Sequence, residues 1–525
     1  MKATPNANLH RKEADTQSPG TPSGERVMRL RCHLAKAFDG CEVALSAAPV
    51  WIAATLAVMA LQAILIVTHR PWLDEWQALQ IALQSPTFDD LLINLRYEGH
   101  PALWYLILRG LNHLVGNPYM VLPVAAMLLA LPVQATILFA SPFRRFDRLL
   151  IAASEFVLFE FLTVSRSQTL GVACSLMVVA LWNRPRWSWA FIALLPQCDF
   201  LFGIISLIFI ALRWRDRAIS WPFVTLWFVS GLVAAKTVHP MPDMATAMVP
   251  QKPLKAFSIW LAEMSALGLP FQTAGLVPTW NRPPPIGINA FALFGFLTIL
   301  WLETRNRPRE AIALALFIGL TLLFSLAVYP LSVRHLMLGA WLFILLLWLR
   351  SKQGGTQPNI WTRSWLFIIA ASGLATAGIN LALPFDRAPE ALAEMRKLGL
   401  TGKTWTAFPR SDGQGVAALN DMTFERLTEN CRESFIRWNI PAEHLIRSST
   451  QLEQILARKR SAVGRFYLLT EYDLPDRPGL LHKLSDIPAG YDGQRYLLYV
   501  VGEDRPERPH VSPLCAGAAL PLRHP

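Results

Sequence analysis

Asp74 and Glu75, in the run Trp72-Leu73-Asp74-Glu75, are adjacent carboxylates just past the first long apolar stretch, residues 47–68. Acids at a bilayer boundary are costly and need a reason. A carboxylate partly shielded from water there has a raised pKa and can serve as a general base. Such a base would deprotonate a hydroxyl acceptor and let it attack an activated sugar. The same pair also suits capping or solvation of a juxtamembrane helix, and residue type alone leaves both open. His100 precedes Pro101. A helix N-terminus with a nearby cation suits a phosphate, and Pro101 equally suits the first position of an ordinary helix. Arg166 and Gln168 lie in the short turn SRSQT, and Arg334 and His335 in YPLSVRHLM after Tyr329. Two arginines, each in a turn at the same face, could clamp a phosphate or pyrophosphate bidentately. The alternative for each is snorkelling to lipid headgroups.

The elements that must position these groups are read from composition. Of 525 residues, 53% are hydrophobic and only 16% charged, well below the quarter typical of soluble domains. The deficit falls on apolar runs of bilayer length, so the chain is expected to be a polytopic, all-α membrane protein. The net charge of +12 then reports topology, and nucleic acid is not expected as a partner. Eleven spans are expected: 47–68, 119–141, 149–165, 168–183, 186–198, 199–214, 220–238, 286–303, 310–329, 335–350 and 363–383. The stretch 186–214 also reads as one bent helix. Glu155 and Glu160 fall inside the third run, and Asp199 in a turn; none has an evident partner.

Arg and Lys cluster in the N-terminal segment and in loops 142–148, 183–186, 213–219, 304–309 and 350–363. All lie on one side, the cytoplasmic one, if residues 101–118 do not cross. Trp104, Leu108 and Leu111 recur there at helical spacing, as in an interfacial helix. The outer side then holds loop 69–118, the proline-rich loop 239–285 and the C-terminal region 384–525. Residues 1–46 are expected to be cytoplasmic and disordered to about Gly40, residues 47–383 to form the membrane domain, and 384–525 a small extracytoplasmic α/β domain. In that domain 388–399 and 424–438 read as amphipathic helices, and 465–470 and 494–501 as buried strands. The six cysteines form no CxxC or metal spacing, and Cys431 and Cys515 can pair if their region is extracytoplasmic. There is no internal repeat and no phosphate-loop motif, which argues against a nucleotide-driven pump.

Four features in order resemble the integral-membrane glycosyltransferases of the GT-C superfamily, in the branch of bacterial protein mannosyltransferases, the lipid A aminoarabinose transferase and lipopolysaccharide galacturonosyltransferases. They are Trp72-Leu73-Asp74-Glu75, His100-Pro101-Ala102-Leu103-Trp104-Tyr105, Ser165-Arg166-Ser167-Gln168 and Val333-Arg334-His335. Ala102 stands where the family pattern has a second proline, and His335 where it has a tyrosine. The resemblance implies a sugar donor linked to polyprenyl phosphate and transfer at the outer face of the cytoplasmic (inner) membrane. The acceptor would be a glycan, a lipid or a protein. It makes Asp74 the catalytic base with Glu75 assisting, and His100, Arg166, Gln168, Tyr329, Arg334 and His335 substrate-binding. It implies no metal and no cofactor. Two other readings remain: a transporter or flippase for a lipid-linked saccharide, and a non-catalytic glycan-assembly protein of the same fold. A transporter should show inverted repeats and ionisable groups at the midplane, whereas here the charged residues gather at one surface.

Overall fold

The computed structural model describes residues 22–244, 252–274, 277–282, 285–439, 446, 448–507 and 512–515. Among them, seven helices are long and apolar enough to cross a membrane: Ala48–Thr68, Pro118–Ala140, Trp221–Val238, Ile286–Thr304, Pro308–Ala327, Val333–Lys352 and Ile360–Ala382. In Val333–Lys352, 94% of the apolar stretch is buried inside the protein, against 11% in Trp221–Val238. The first is the central helix of the bundle. The second presents its side chains outward, as a lipid-facing helix does.

The other four expected spans fall on shorter elements. Residues 149–165 divide into the helix Arg145–Ala152 and a π-helical segment, Phe156–Phe161. Residues 168–183 give Ser167–Ala180. The stretch 186–214 is two helices, Pro185–Leu194 and Phe200–Arg215. Asp199 separates them: its Oδ1 accepts the Leu201 N–H at 2.9 Å as an N-cap, which starts a new helix. Residues 101–118 form the short helix Leu103–Val115, with Trp104, Tyr105 and Leu108 on its buried side.

The disorder expected to about Gly40 is corrected by a helix, Pro22–Ser46. Phe38 and Leu45 are buried, Arg363 stacks over the Phe38 ring, and Glu42 accepts the Arg145 and Phe146 N–H groups at 3.0 and 2.9 Å. These contacts hold a segment whose composition alone would not. Residues 1–21 lie outside the described ones.

The C-terminal region holds a mixed six-stranded sheet in the order β5-β4-β3-β6-β8-β7. The strands are β3 (Trp405–Ala407), β4 (Phe424–Glu425), β5 (Arg432–Glu433), β6 (Phe466–Thr470), β7 (Leu481–Ile487) and β8 (Tyr496–Val501); β1 (Thr273–Ala274) and β2 (Val277–Pro278) form a separate hairpin. β3 is parallel to β4 and β6. Tyr467, Leu469, Tyr496 and Leu498 face the helices Ala388–Lys397 and Gln414–Asn420. Phe466, Leu468, Leu497 and Tyr499 face the helix Ser449–Val463 on the other side. The period-2 alternation thus feeds two cores, which is why β6 and β8 read as continuous apolar runs.

The expected helix over 424–438 is corrected to the β4–β5 pair and a loop. Arg426 donates two hydrogen bonds to Glu433, at 3.0 and 2.8 Å. Cys431 is disulfide-bonded to Cys515, and the Arg432 N–H reaches Pro513. The chain is pinned by distant partners where local spacing favours a helix.

The two parts are docked tightly. Arg70 meets Glu390 at 2.6 Å, Gln77 bonds both the carbonyl and the N–H of Ile436, and Arg437 donates to Asn94. The Trp280 N–H donates to the Tyr491 carbonyl at 2.8 Å.

Candidate functional site

Four segments far apart in sequence converge on one cavity of about 270 Å³. Asp74 comes from the first turn of the helix Leu73–Gln84. Arg166 comes from the turn before Ser167–Ala180, and Arg334 from the outset of the central helix. Glu98 and His100 flank Gly99, whose φ of 73° ends the helix Phe88–Glu98 in the left-handed region. Only glycine adopts that turn without strain, and it sends residues 98 and 100 to the same cavity.

The Asp74 carboxylate is the junction. Arg334 Nη2 donates to its Oδ2 at 2.9 Å. Arg166 Nη1 stands 2.8 Å from the same oxygen as a charge contact, off the hydrogen-bond direction. Both guanidiniums lie against the Trp72 ring, at 5.9 and 5.4 Å from its centre, and Arg334 also against Trp280. Aromatic faces of this kind hold an arginine without consuming its donors. Nε and Nη1 of Arg334, both buried, have no hydrogen-bond partner in the protein. Buried donors of this strength are rarely left unmet, so water or a ligand in the cavity must serve them.

The electrostatics separate the two acids of the cavity. Burial pushes the Asp74 carboxyl up, but Arg166 and Arg334 together outweigh it and hold its pKa below the ordinary value. This reverses the raised pKa expected for a shielded carboxylate. Burial pushes Glu98 up to about 8, with Asp74 adding to the rise and the Gln77 hydrogen bond opposing it. At neutral pH, Asp74 is therefore ionised and Glu98 protonated. Two acids driven apart in this way can take different roles. The His100 Nδ1–H donates to the Glu98 carbonyl, 3.0 Å away; a carbonyl can only accept, so Nδ1 carries the proton. Its Nε2 lies 3.8 Å from Asp199. Burial, with Arg166 beside it, lowers the His100 pKa despite Asp199.

Of the residues singled out in the sequence, Asp74, His100, Arg166, Tyr329, Arg334 and His335 line the cavity. Glu75 and Gln168 do not. Glu75 is fully buried and accepts the Ser165 N–H at 2.7 Å and the Trp72 N–H at 3.2 Å, with His69 Nε2 at 2.8 Å. It ties the turn carrying Arg166 to the helix carrying Asp74, which is a positioning role. Gln168 is buried, with its Nε2 unpartnered. Glu160 accepts the Trp280 indole N–H at 2.7 Å and so sets the ring beside Arg334.

Sequence reading missed Glu98, Asn281 and Trp438. Glu98 was legible in part: it sits in Glu98-Gly99-His100-Pro101, where a glycine between an acid and a histidine signals a tight turn. Trp438 had no signal, since it arrives from the C-terminal region. No family model, curated protein or solved structure matches the chain.

Proposed function

We propose that the protein is a membrane glycosyltransferase that moves a sugar from a polyprenyl-phosphate-linked donor to a hydroxyl acceptor at the outer face of the cytoplasmic membrane. The observation that carries this reading is the Asp74 carboxylate held between Arg166 and Arg334, which line the cavity and keep buried guanidinium donors without a hydrogen-bond partner in the protein. A phosphate fits this arrangement because it offers the guanidiniums more charge and more acceptor oxygens than the carboxylate they hold.

A donor of this class has a polar and a greasy end. The short helix Leu103–Val115 supports both. Trp104 and Tyr105 line the polar cavity. Ala102, Leu103 and Leu106 line a neighbouring apolar groove of about 950 Å³ with Arg96, Lys236 and His239 among its lining residues. An isoprenoid chain in the groove would leave its phosphate at the arginines.

The proposed chemistry follows from the charges. The donor phosphate takes Arg166 and Arg334, which releases Asp74 from its two cations and raises its basicity. Asp74 then accepts the proton of the acceptor hydroxyl as that oxygen bonds to the anomeric carbon. The bond from that carbon to the phosphate oxygen breaks, the electron pair leaves with the lipid phosphate, and the anomeric configuration inverts. Protonated Glu98 leaves the same cavity with a neutral O–H donor available to the bound sugar.

The outer placement is supported by the Cys431–Cys515 disulfide, since such bonds persist in oxidising compartments. Trp438 of the same region lines the cavity, so the site and the disulfide share one face. In this reading the arginine-rich loops lie inside and that face outside, as the positive-inside bias of eleven crossings would require if the four shorter elements also cross. The test is a deletion strain examined by mass analysis of its lipid-linked sugars. One polyprenyl-phosphate sugar should accumulate, and only a copy with Asp74 intact should clear it. A deletion strain with unchanged lipid-linked sugars and glycans contradicts the reading.

A further inference from the structure

A second polar cavity, of about 380 Å³, lies at the opposite end of the bundle. The central helix spans the distance: Arg334 is in its first turn, at the Asp74 cavity, and Arg350 is in its last, at this one. The lining carries four guanidiniums, from Arg215, Arg307, Arg309 and Arg350, and two carboxylates, Asp216 and Glu310. Arg350 is spoken for, by Glu303 at 2.5 Å and Glu310 at 3.2 Å. Arg309 has a long contact to Asp216, 3.8 Å. Arg307 donates to the neutral Thr356 hydroxyl at 2.8 Å. Among the described residues, neither Arg215 nor Arg307 has a carboxylate at ion-pair distance, and Arg307 acts on Glu310 only from farther off. Arginines that merely anchor a loop spread outward to headgroups; these four surround a concave space. Its wall also includes the buried apolar side chains of Leu346 and Leu349.

We infer that this cavity binds a phosphate-bearing anion of the size of a phospholipid headgroup, held by Arg215 and Arg307, at the face opposite the Asp74 site. Basic pockets between membrane helices recognise such headgroups, and guanidiniums bind phosphate oxygens in pairs. The apolar wall suits the glycerol and first methylenes of a lipid. The proposal does not depend on the sugar chemistry, because it uses no residue of that site.

The test is native mass spectrometry of the full chain in neutral detergent. It is titrated with cardiolipin, with phosphatidylcholine as the neutral control and inorganic pyrophosphate as competitor. Cardiolipin should bind more tightly than phosphatidylcholine. The double variant Arg215→Ala, Arg307→Ala should weaken it by roughly tenfold or more, the size of one or two lost charge-assisted hydrogen bonds. Should that variant fail to fold, Arg215→Ala alone, at an exposed position, is measured instead and should weaken binding by about threefold to tenfold. Failure of pyrophosphate to displace the lipid identifies a lipid headgroup as the occupant; displacement identifies a soluble phosphate. Equal binding of cardiolipin and phosphatidylcholine with no binding of pyrophosphate overturns the proposal, as does unchanged affinity in the variants.

Discussion

Asp74 and Arg334, separated by 260 positions in the chain, meet at 2.9 Å in a cavity where Arg334 keeps two further buried donors unpartnered. The contact gives the resting site a definite state. The carboxylate is ionised and masked, and both arginines are already in place beside it. In the proposed reaction donor binding is an exchange of partners on the guanidiniums, and the base becomes available only when the donor is bound.

Exchange has a consequence for affinity. Asp74 competes with the donor phosphate for the same two cations. Replacing Asp74 by Asn removes the competing charge, so the Asp74→Asn protein should bind a polyprenyl phosphate about tenfold more tightly than wild type. Equilibrium binding to the purified protein checks this. A weaker or equal affinity contradicts partner exchange.

Truncating either arginine acts in the other direction. Arg334→Ala should cost about 2–5 kcal/mol of donor binding, the usual loss when one member of a buried charge pair is removed. Arg334→Lys should recover little of it, because a lysine has no planar fork to share between phosphate and carboxylate. Binding isotherms of both variants against the same polyprenyl phosphate decide the point.

The pH dependence should come from Glu98. Its pKa of about 8 leaves it neutral below that pH and charged above it. Ionised Glu98 beside Asp74 repels an incoming phosphate, so donor affinity should fall as pH rises through about 8, and Glu98→Gln should flatten that fall. Asp74, with its lowered pKa, should contribute no step in the neutral range of the ligand-free protein. For stability the sign is the same. A carboxyl raised from 4.5 to about 8 binds more protons folded than unfolded between those values, so its contribution falls with rising pH across that window. Thermal melts of wild type and Glu98→Gln between pH 5 and 9 measure the difference.

The disulfide should matter locally. Cys431 and Cys515 are separated by 84 positions, and the Cys515 N–H bonds the Arg432 carbonyl beside the β4–β5 pair. Cys431→Ser should destabilise this region by about 2–5 kcal/mol. Limited proteolysis of the full chain should then cut near residues 431–439, and the loss of Trp438 from the cavity should lower transfer.

How much was legible follows from range. The apolar periodicity of residues 48–68 or 308–327 is a property of contiguous residues, and those helices were readable. The arginine turns were readable because a charge at a bilayer edge is itself a signal. Local pattern misled at 424–438, where Cys431 is bonded to Cys515, the Arg426 carbonyl accepts from Lys459 and Glu433 accepts from Arg410 instead of the segment completing a helix. The pair Asp74–Glu75 was legible, with Asp74 set apart from Glu75, but the place of Glu75 outside the cavity was not. A one-residue step along a helix turns the side chain by about 100°, so Asp74 faces the cavity while Glu75 is buried in hydrogen bonds to Ser165 and Trp72. Trp438 and Asn281 reach the site only through docking of the C-terminal region and of the loop before Ile286–Thr304, which no local spacing encodes.

The most direct measurement is sugar transfer by the purified full chain and its Asp74→Asn variant, given native lipid-linked sugars and membrane acceptors, with donor binding measured in the same preparations. The account predicts that the variant melts normally and binds donor at least as well as wild type, yet transfers slower by a factor of about 10³ or more. Transfer at the wild-type rate by a variant that binds donor would contradict it.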